Sequence, residues 1–214
     1  MSETTLIKHD PIPDEQSLCD AYNLDLQSGD GAHIRFGELV AGKGDHITTV
    51  VIFIRHFFCL YDQSYVHNIS RRLTESITPN TDSANPTQVI LIGCGQPAGI
   101  VPYVTDTSAA FPLYTDPTGT IYEKLHMKKS YTGLTRPPSY APVSALRAFG
   151  VGIKGLFKTG LQVLKGGGWN RNGGEWVFRD GKCVFVHRMQ GTGDHLTADE
   201  LVKVIGEDVL EKKS

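Results

Sequence analysis

The sequence predicts an α/β protein built on a mixed β-sheet with helices on both faces. Two runs, Thr49–Ile54 and Gln88–Ile92, are β-branched and apolar throughout, as expected for strands that are covered on both sides. Residues 61–76, between them, have helical character, so the three segments read as a strand–helix–strand unit with parallel strands.

The C-terminal part predicts a hairpin followed by a helix. Strands Glu175–Arg179 and Cys183–His187 are aromatic and β-branched, and Asp180-Gly181 between them is a strong signal for a tight turn. The apolar residues of Thr197–Leu210 have helical spacing, with Thr197 as N-cap and Glu200 completing a capping box.

The remaining elements are shorter. We expect a helix over 16–27, a half-buried edge strand over 32–40, a helix over 98–108, a short strand and turn over 111–119, and a helical turn or two over 121–127. Parallel strands linked by helices, followed by an antiparallel hairpin and a last helix, are typical of a thioredoxin-like fold.

The predicted organisation is an N-terminal lead-in (1–30) and one thioredoxin-like domain (31–210), with an insertion over about 128–174. The core of the insertion, 146–165, has basic residues on one side and apolar residues on the other, as in an amphipathic helix. We favour a surface helix packed on the sheet. The alternatives are a helix that contacts a membrane surface or a partner, and a lid over a hydrophobic substrate. Such a lid would close a pocket lined by aromatic side chains: Phe57, Phe58, Tyr61 and Trp169.

Composition excludes several classes of function. The 214 residues carry 21 Lys+Arg against 23 Asp+Glu, a net charge of −2, so no overall field attracts nucleic acid. We find no signal peptide or apolar run long enough to span a membrane, and the four cysteines are scattered, so we expect a cytoplasmic protein with free thiols. The spacing of His187, Asp194 and His195 matches no metal motif, and no glycine loop matches a nucleotide motif, so we expect no metal and no cofactor.

Cys59 is the candidate nucleophile. It follows the first buried strand and precedes a helix, at the sheet edge where α/β proteins place their chemistry. The helix N-terminus, together with Arg55 and His56, is expected to stabilise its thiolate. The alternative is an inert thiol that packs beside Phe57 and Phe58.

Cys94 follows the second buried strand and, if the two strands are parallel neighbours, emerges at the same edge as Cys59. A disulfide between them needs Cα atoms within about 7 Å of each other. The alternative is a small buried residue in a glycine-rich turn. Cys19 and Cys183 are interpreted as structural.

Several blocks of the chain follow one another in a fixed order: Val51–Cys59, Leu91–Gly95, Phe111–Pro117, and Gly173–Phe178 through Asp180-Gly181 to His187–Met189 and Asp194-His195. In their order and spacing these blocks resemble the peroxiredoxin-like proteins with an AhpC/TSA antioxidant-enzyme domain, related to the prostamide/prostaglandin F synthase type. The similarity spans roughly residues 31–206. The resemblance implies a thioredoxin fold, thiol-based redox chemistry, thioredoxin or glutathione as reductant, and the possibility of a homodimer.

The chain departs from the family pattern at two places. Family members often have Cys-x-x-Cys after the first buried strand, whereas this chain has Asp62 in place of the second cysteine. Asp62 would raise the pKa of Cys59 or act as a general base toward a bound ligand. The role that we favour is a carboxylate that complements the helix dipole. His56 stands where peroxiredoxins have Thr or Ser. We assign the catalytic arginine of peroxiredoxins to no residue of this chain, because nothing in the sequence selects between Arg136 and Arg171.

Three routes remain for Cys59: resolution by Cys94, resolution by an external thiol such as glutathione, or loss of the redox cycle. The sequence therefore predicts an oxidoreductase that reduces a peroxide, or a small hydrophobic endoperoxide-like substrate, through Cys59. The alternative is a non-redox ligand-binding protein or repurposed enzyme on the same scaffold.

Overall fold

The computed structural model describes residues 7, 9–77, 86–130, 138–141 and 170–206, and within them one mixed sheet organises the chain. Its strands are β1 (Asp25–Gln27), β2 (His33–Arg35), β3 (Thr48–Phe53), β4 (Thr87–Gly93), β5 (Leu113–Thr115), β6 (Gly174–Arg179) and β7 (Lys182–Arg188). Their order across the sheet is β2-β1-β5-β4-β3-β6-β7.

Helices cover both faces of this sheet. They are α1 (Glu15–Tyr22), α2 (Phe36–Ala41), α3 (Leu60–Ile77), α4 (Ile100–Thr107), which follows a short 3-10 turn (Pro97–Gly99), α5 (Thr120–Lys124) and α6 (Ala198–Gly206). In the described part of the chain, no helix has the length and apolar character that crossing a bilayer requires.

The strand pairing confirms the predicted mixed sheet. Strand β4 lies parallel to β3 and to β5, whereas β6 lies antiparallel to β3 and β7. Because β3 and β4 are parallel neighbours, their carboxyl ends meet at one edge of the sheet, and the loops before α3 and α4 start there.

The alternation of side chains along the central strands separates two cores. Val50, Ile52 and Val177 face the first core, which is completed by α3, α4 and α6. Their neighbours Val51 and Trp176 face the second core, which α1, α2 and α5 complete. The strands are apolar on both sides because each side is covered, as predicted.

Two elements differ from the sequence prediction. The expected helix over 16–27 ends at Tyr22, and 25–27 form β1, which pairs with β2 and β5, so the predicted lead-in contributes a strand to the sheet. The expected strand over 32–40 is a strand only over His33–Arg35. From Phe36 onward it is helix α2, whose Phe36, Leu39 and Val40 are buried with helical spacing.

The start of the last helix is confirmed. The Thr197 hydroxyl accepts from the backbone N–H of Glu200 at 3.3 Å, and the Glu200 carboxylate accepts from the backbone N–H of Thr197 at 2.7 Å. The proposed helix 146–165 lies outside the described residues, as do Arg136 and Trp169.

Candidate active site

Cys59 lies at the N-terminal end of α3, in the short loop that follows β3. Its backbone N–H donates to the carbonyl of His56 at 3.0 Å, and its own carbonyl accepts from the N–H of Gln63, which begins the helical bonding. The Gln63 side chain donates to the carbonyl of Phe57 at 2.7 Å and so fixes the loop from the helix side. Cys59 is thus the N-cap residue of α3, a position where a side chain meets free backbone N–H groups.

Phe57 fixes the same loop from the sheet side. Its ring lies against Gly93 and Gly95 at the end of β4, where an added methyl group would come within 3 Å of the ring at either position. These glycines therefore allow the Cys59 loop to approach the end of β4 closely.

Arg55 places its guanidinium beside the thiol. Its Nη1 lies 3.4 Å from Cys59 Sγ, and its Nε donates to the carbonyl of Arg171 at 3.1 Å. The backbone of Arg171 thus positions Arg55. The Arg171 side chain points elsewhere, since it donates to the carbonyl of Gly119 and to Glu123.

The expected low pKa of Cys59 is not found in this conformation. Burial raises the pKa of Cys59 to about 12, and the negative charge of Asp62 adds to the rise, while Arg55 and the backbone N–H of Asp62 oppose it. The residue is 5% exposed, so desolvation of the thiolate outweighs the helix terminus and the guanidinium. At neutral pH Cys59 is a thiol in this closed site.

His56 does not add the positive charge that its sequence position suggested. Burial lowers the pKa of His56 to about 4, and the charge of Arg55 lowers it further, although Asp62 opposes both effects. His56 is therefore a neutral imidazole near pH 7.

Asp62 is fully buried in the first turn of α3, and its carboxylate does more than complement the helix dipole. Oδ2 accepts from the backbone N–H of Arg55 at 2.6 Å, and Oδ1 lies 3.3 Å from Nε2 of His195. Although burial raises the pKa of Asp62, the hydrogen bond and charge of His195 and the charge of Arg55 hold it below its ordinary value. Asp62 is thus an ionised carboxylate one helical turn from Cys59.

His195 links Asp62 to a second buried carboxylate. Its Nδ1 lies 2.5 Å from Oε1 of Glu175, which is on β6, and the other oxygen, Oε2, lies 2.7 Å from Nδ1 of His187 on β7. Asp62, His195 and Glu175 have fully buried side chains, whereas that of His187 is 13% exposed. The four side chains form one continuous chain of hydrogen bonds, which we call the acid–histidine chain.

The charges in this chain stabilise one another. Burial alone lowers the pKa of His195, but the charges and hydrogen bonds of Glu175 and Asp62 raise it to about 9. Burial alone raises the pKa of Glu175, but His195 and His187 lower it to about 2. The ring of Tyr65 stacks on His195 at 4.0 Å with parallel planes, which fixes the imidazole orientation.

The sequence analysis missed Glu175, and it considered His187 and His195 only for a metal site, which their spacing did not support. One signal was present: Glu175 stands two residues before Val177 on a strand that is buried on both faces, so it points into the first core. An acidic side chain at such a position needs a buried partner. In the residues that the structure describes, no group of three His, Cys, Asp or Glu side chains is arranged to hold a metal ion.

The other cysteines lie apart from this chain of hydrogen bonds. Cys94 is fully buried in the second core, while Gly93 and Gly95 on either side of it face Phe57 in the first core. Its side chain therefore points to the face of the sheet opposite α3. Cys183 is buried on β7, Cys19 is exposed on α1, and all four cysteines are free thiols.

Comparison with known proteins agrees with this fold. The sequence model of the AhpC/TSA antioxidant enzyme family matches residues 72–191. The chain is 24% identical to mouse peroxiredoxin-like 2C over 186 residues, which cover 86% of this chain and 77% of that protein. The human protein of the same name is 26% identical over 179 residues, covering 82% and 74%.

Two solved structures show the fold. The yeast mitochondrial 1-Cys peroxiredoxin, described with a thiol-resolving mechanism through glutathione and thioredoxin systems, superposes with a TM-score of 0.55 at 12% identity, covering 97% of this chain and 79% of that one. The bacterioferritin comigratory protein of Xanthomonas campestris, described with alkyl peroxide reduction activity, gives 0.54 at 13% identity, covering 92% and 96%. With more than half of its residues matched by the family model, the chain belongs to the AhpC/TSA antioxidant enzyme family and has the thioredoxin-like fold of the peroxiredoxins.

Proposed function

We propose that this protein reduces a peroxide through Cys59 and that an external thiol returns Cys59 to its reduced form. The observation that carries the proposal is the contact between the Arg55 guanidinium and Cys59 Sγ at the N-terminus of α3. A guanidinium and free helical N–H groups both favour negative charge, on the sulfur as it ionises and on a peroxide oxygen as it leaves. Family membership supports the same chemistry.

The reaction has three balanced steps. Cys59–SH attacks the peroxide ROOH, giving Cys59–SOH and the alcohol ROH. An external thiol R′SH then condenses with the sulfenic acid to give Cys59–S–S–R′ and water. A second R′SH releases Cys59–SH and the disulfide R′S–SR′. Because Cys59 is buried, we expect the first step to be slow unless the loop opens.

The position of Cys94 favours an external thiol over an internal one. Its side chain faces the second core, and the Phe57 ring lies against the glycines on either side of it. A Cys59–Cys94 disulfide would require Cys94 to leave that core. Glutathione or thioredoxin is the expected reductant, as described for the yeast neighbour.

The test is peroxide consumption with glutathione, and separately with thioredoxin and its reductase. We expect Cys59→Ser to abolish turnover, and Cys19→Ser, which alters an exposed cysteine on α1, to leave it unchanged. Cys94→Ser should retain turnover, and mass spectrometry of the peroxide-treated protein with glutathione should find the mixed disulfide on Cys59. Full activity of Cys59→Ser would overturn the proposal, and loss of activity in Cys94→Ser would identify an internal resolving cysteine.

The burial of Cys59 also favours a second candidate function, a ligand-binding protein without redox turnover. A thiol with a pKa of about 12 is a poor nucleophile at neutral pH. This function predicts that the wild type consumes no peroxide above the Cys59→Ser background and that its Cys59 remains unmodified after exposure to peroxide.

A further inference from the structure

The acid–histidine chain starts beside Cys59 and ends at a side chain that reaches solvent. The backbone N–H of Asp62 hydrogen-bonds to the Cys59 sulfur, and the charge of the Asp62 carboxylate acts on the same sulfur. From Asp62 the hydrogen bonds run through His195 and Glu175 to His187 on β7. The first three side chains are fully buried, and His187 is the first with access to water.

Each link can pass a proton. His195 contacts a carboxylate with each ring nitrogen, so it can receive a proton on one nitrogen while releasing the other. Glu175 uses its two oxygens for two different histidines. The Tyr65 ring, stacked on His195, keeps the imidazole in the plane that serves both contacts.

The chemistry at Cys59 needs a proton donor. When a thiolate R′S⁻ attacks the mixed disulfide Cys59–S–S–R′, the products are R′S–SR′ and the Cys59 thiolate. In this buried site that thiolate is a poor leaving group, because burial and Asp62 disfavour the charge. A proton delivered to the sulfur as the S–S bond breaks gives Cys59–SH directly and removes the unfavourable charge.

We propose that Asp62 is the proton-exchange group of the Cys59 site, and that His195, Glu175 and His187 connect it to solvent. In the release step, the Asp62 carboxylate takes a proton from the protonated His195 as it delivers one to the departing Cys59 sulfur, and His195 is reprotonated through Glu175 from His187. The carboxylate thus occupies the place of the second cysteine of a Cys-x-x-Cys motif and exchanges a proton where that cysteine would exchange electrons. The proposal rests on the external-thiol route given above.

Other polar and charged groups also contact the members of the acid–histidine chain. Glu175 also accepts from the backbone N–H of Leu196, and Asp62 accepts from that of Arg55. Among the residues that the structure describes, the titratable or charged side chains that interact with members of the acid–histidine chain include Arg55, His56, Cys59, Tyr65, Tyr103, Tyr122, Tyr140 and Asp194.

The experiment measures release of glutathione from Cys59. The full-length protein is first converted to the Cys59–glutathione mixed disulfide with oxidised glutathione, and release by excess reduced glutathione is then followed by mass spectrometry. No peroxide is present, so failure of peroxide turnover and failure of this inference are separate results. We expect Asp62→Asn to slow release by roughly 100-fold, the lower end of the range for loss of a positioned proton donor.

The sign of this effect separates proton transfer from simple electrostatics. If Asp62 acts only through its negative charge, Asp62→Asn stabilises the leaving thiolate and release becomes faster. The same variant should alkylate faster with iodoacetamide, because its Cys59 ionises more readily. Faster alkylation with slower release supports the proposal, and release as fast as wild type or faster overturns it.

A second variant tests the far end of the acid–histidine chain. His187→Gln leaves Cys59 and Asp62 in place, and we expect it to slow release several-fold, with rescue by added imidazole. His67→Gln, an exposed histidine on α3, should release glutathione at the wild-type rate. Unchanged release in His187→Gln overturns the route to solvent, and this variant decides alone if Asp62→Asn lacks a folded circular-dichroism spectrum.

Discussion

At the residue scale, the reactivity of Cys59 is set by two opposite charges that come from neighbouring parts of the chain. Arg55 follows β3 and contacts the sulfur, whereas Asp62 belongs to α3 and disfavours the thiolate. Burial is the largest effect and it acts in the same direction as Asp62. Removal of the Arg55 charge should therefore raise the pKa of Cys59, and removal of the Asp62 charge should lower it.

Removal of the Arg55 charge should make Cys59 less reactive. Arg55→Gln deletes the guanidinium at 3.4 Å from Sγ, and an opposite charge at such a distance lowers a pKa by about 1 to 3 units. We expect alkylation by iodoacetamide at pH 8 to slow by roughly 10-fold or more. Arg71→Gln, on the exposed face of α3, is the matched control and should alkylate at the wild-type rate. Equal rates in both variants would show that Arg55 has no influence on the thiol.

The sequence predicts the site residues that lie close together along the chain and misses those that lie far apart. Arg55, Cys59 and Asp62 lie within eight residues at a strand–helix junction, so position alone identifies them. His195 lies 133 residues beyond Asp62 and 20 beyond Glu175, and only the packing of α3 against β6 and α6 brings the three together. In the sequence alone, the spacing of His187 and His195 does not show which side chains they contact or whether they are protonated.

At the scale of elements, the sequence predicts best the strands that are buried on both faces. Strands β3 and β4 were predicted within one residue at each end because runs of Val and Ile covered on both faces have few alternatives. Over 32–40, Ile34 and Phe36 stand two residues apart, which fits a strand. Phe36, Leu39 and Val40 instead follow helical spacing, and burial in the second core selects the helix.

The contact between β4 and the Cys59 loop should be sensitive to a single methyl group. In Gly93→Ala the new Cβ would lie 2.4 Å from Cε1 of Phe57, so the ring or the loop must move. We expect a loss of about 1 to 3 kcal/mol in the free energy of unfolding, measured by urea titration. We also expect faster alkylation of Cys59, because the displaced loop exposes the thiol.

The control for this substitution is Gly206→Ala at the end of α6, where an added methyl group meets no atom within 4 Å. It should raise the free energy of unfolding by at most about 1 kcal/mol, because Ala favours a helix over Gly, and it should leave alkylation unaltered. If Gly93→Ala behaves in the same way, Phe57 does not hold the loop rigidly.

At the scale of the whole molecule, the sheet separates two environments. The first core holds Asp62, Glu175 and His195 next to α3, whereas the second core holds Cys94 among apolar side chains. An oxidised Cys59 therefore meets buried charge on its own side of the sheet, and Cys94 lies on the other. This arrangement is the structural reason to expect a mixed disulfide with an external thiol.

The same buried charges make the stability of the fold depend on pH. The pKa of His195 is raised to about 9 in the folded protein from an ordinary value of 6.5, because Glu175 and Asp62 outweigh the effect of burial. A group with a raised folded pKa contributes its full stabilisation below its unfolded pKa and loses it as pH rises through the folded value. His195 therefore stabilises the fold fully below pH 6.5 and progressively less up to about pH 9.

His56 acts in the opposite direction and over a different range. Burial lowers the pKa of His56 to about 4, so protonation of the unfolded chain below pH 6.5 destabilises the fold. Together the two histidines predict maximal stability near pH 6.5. Between pH 6.5 and 9 we expect a loss of about 3 kcal/mol in the free energy of unfolding, measured by urea titration at several pH values.

The variant His195→Gln should reduce this loss by more than half, because it removes the group that titrates. His187, whose pKa is also raised, accounts for the remainder. His67→Gln should keep the wild-type profile, since this exposed side chain lies outside the acid–histidine chain. A wild-type profile in His195→Gln would mean that His195 is already neutral at pH 7. In that case His195 would contact Asp62 and Glu175 as a neutral imidazole rather than an imidazolium, and the proton for Cys59 would have to come from another source.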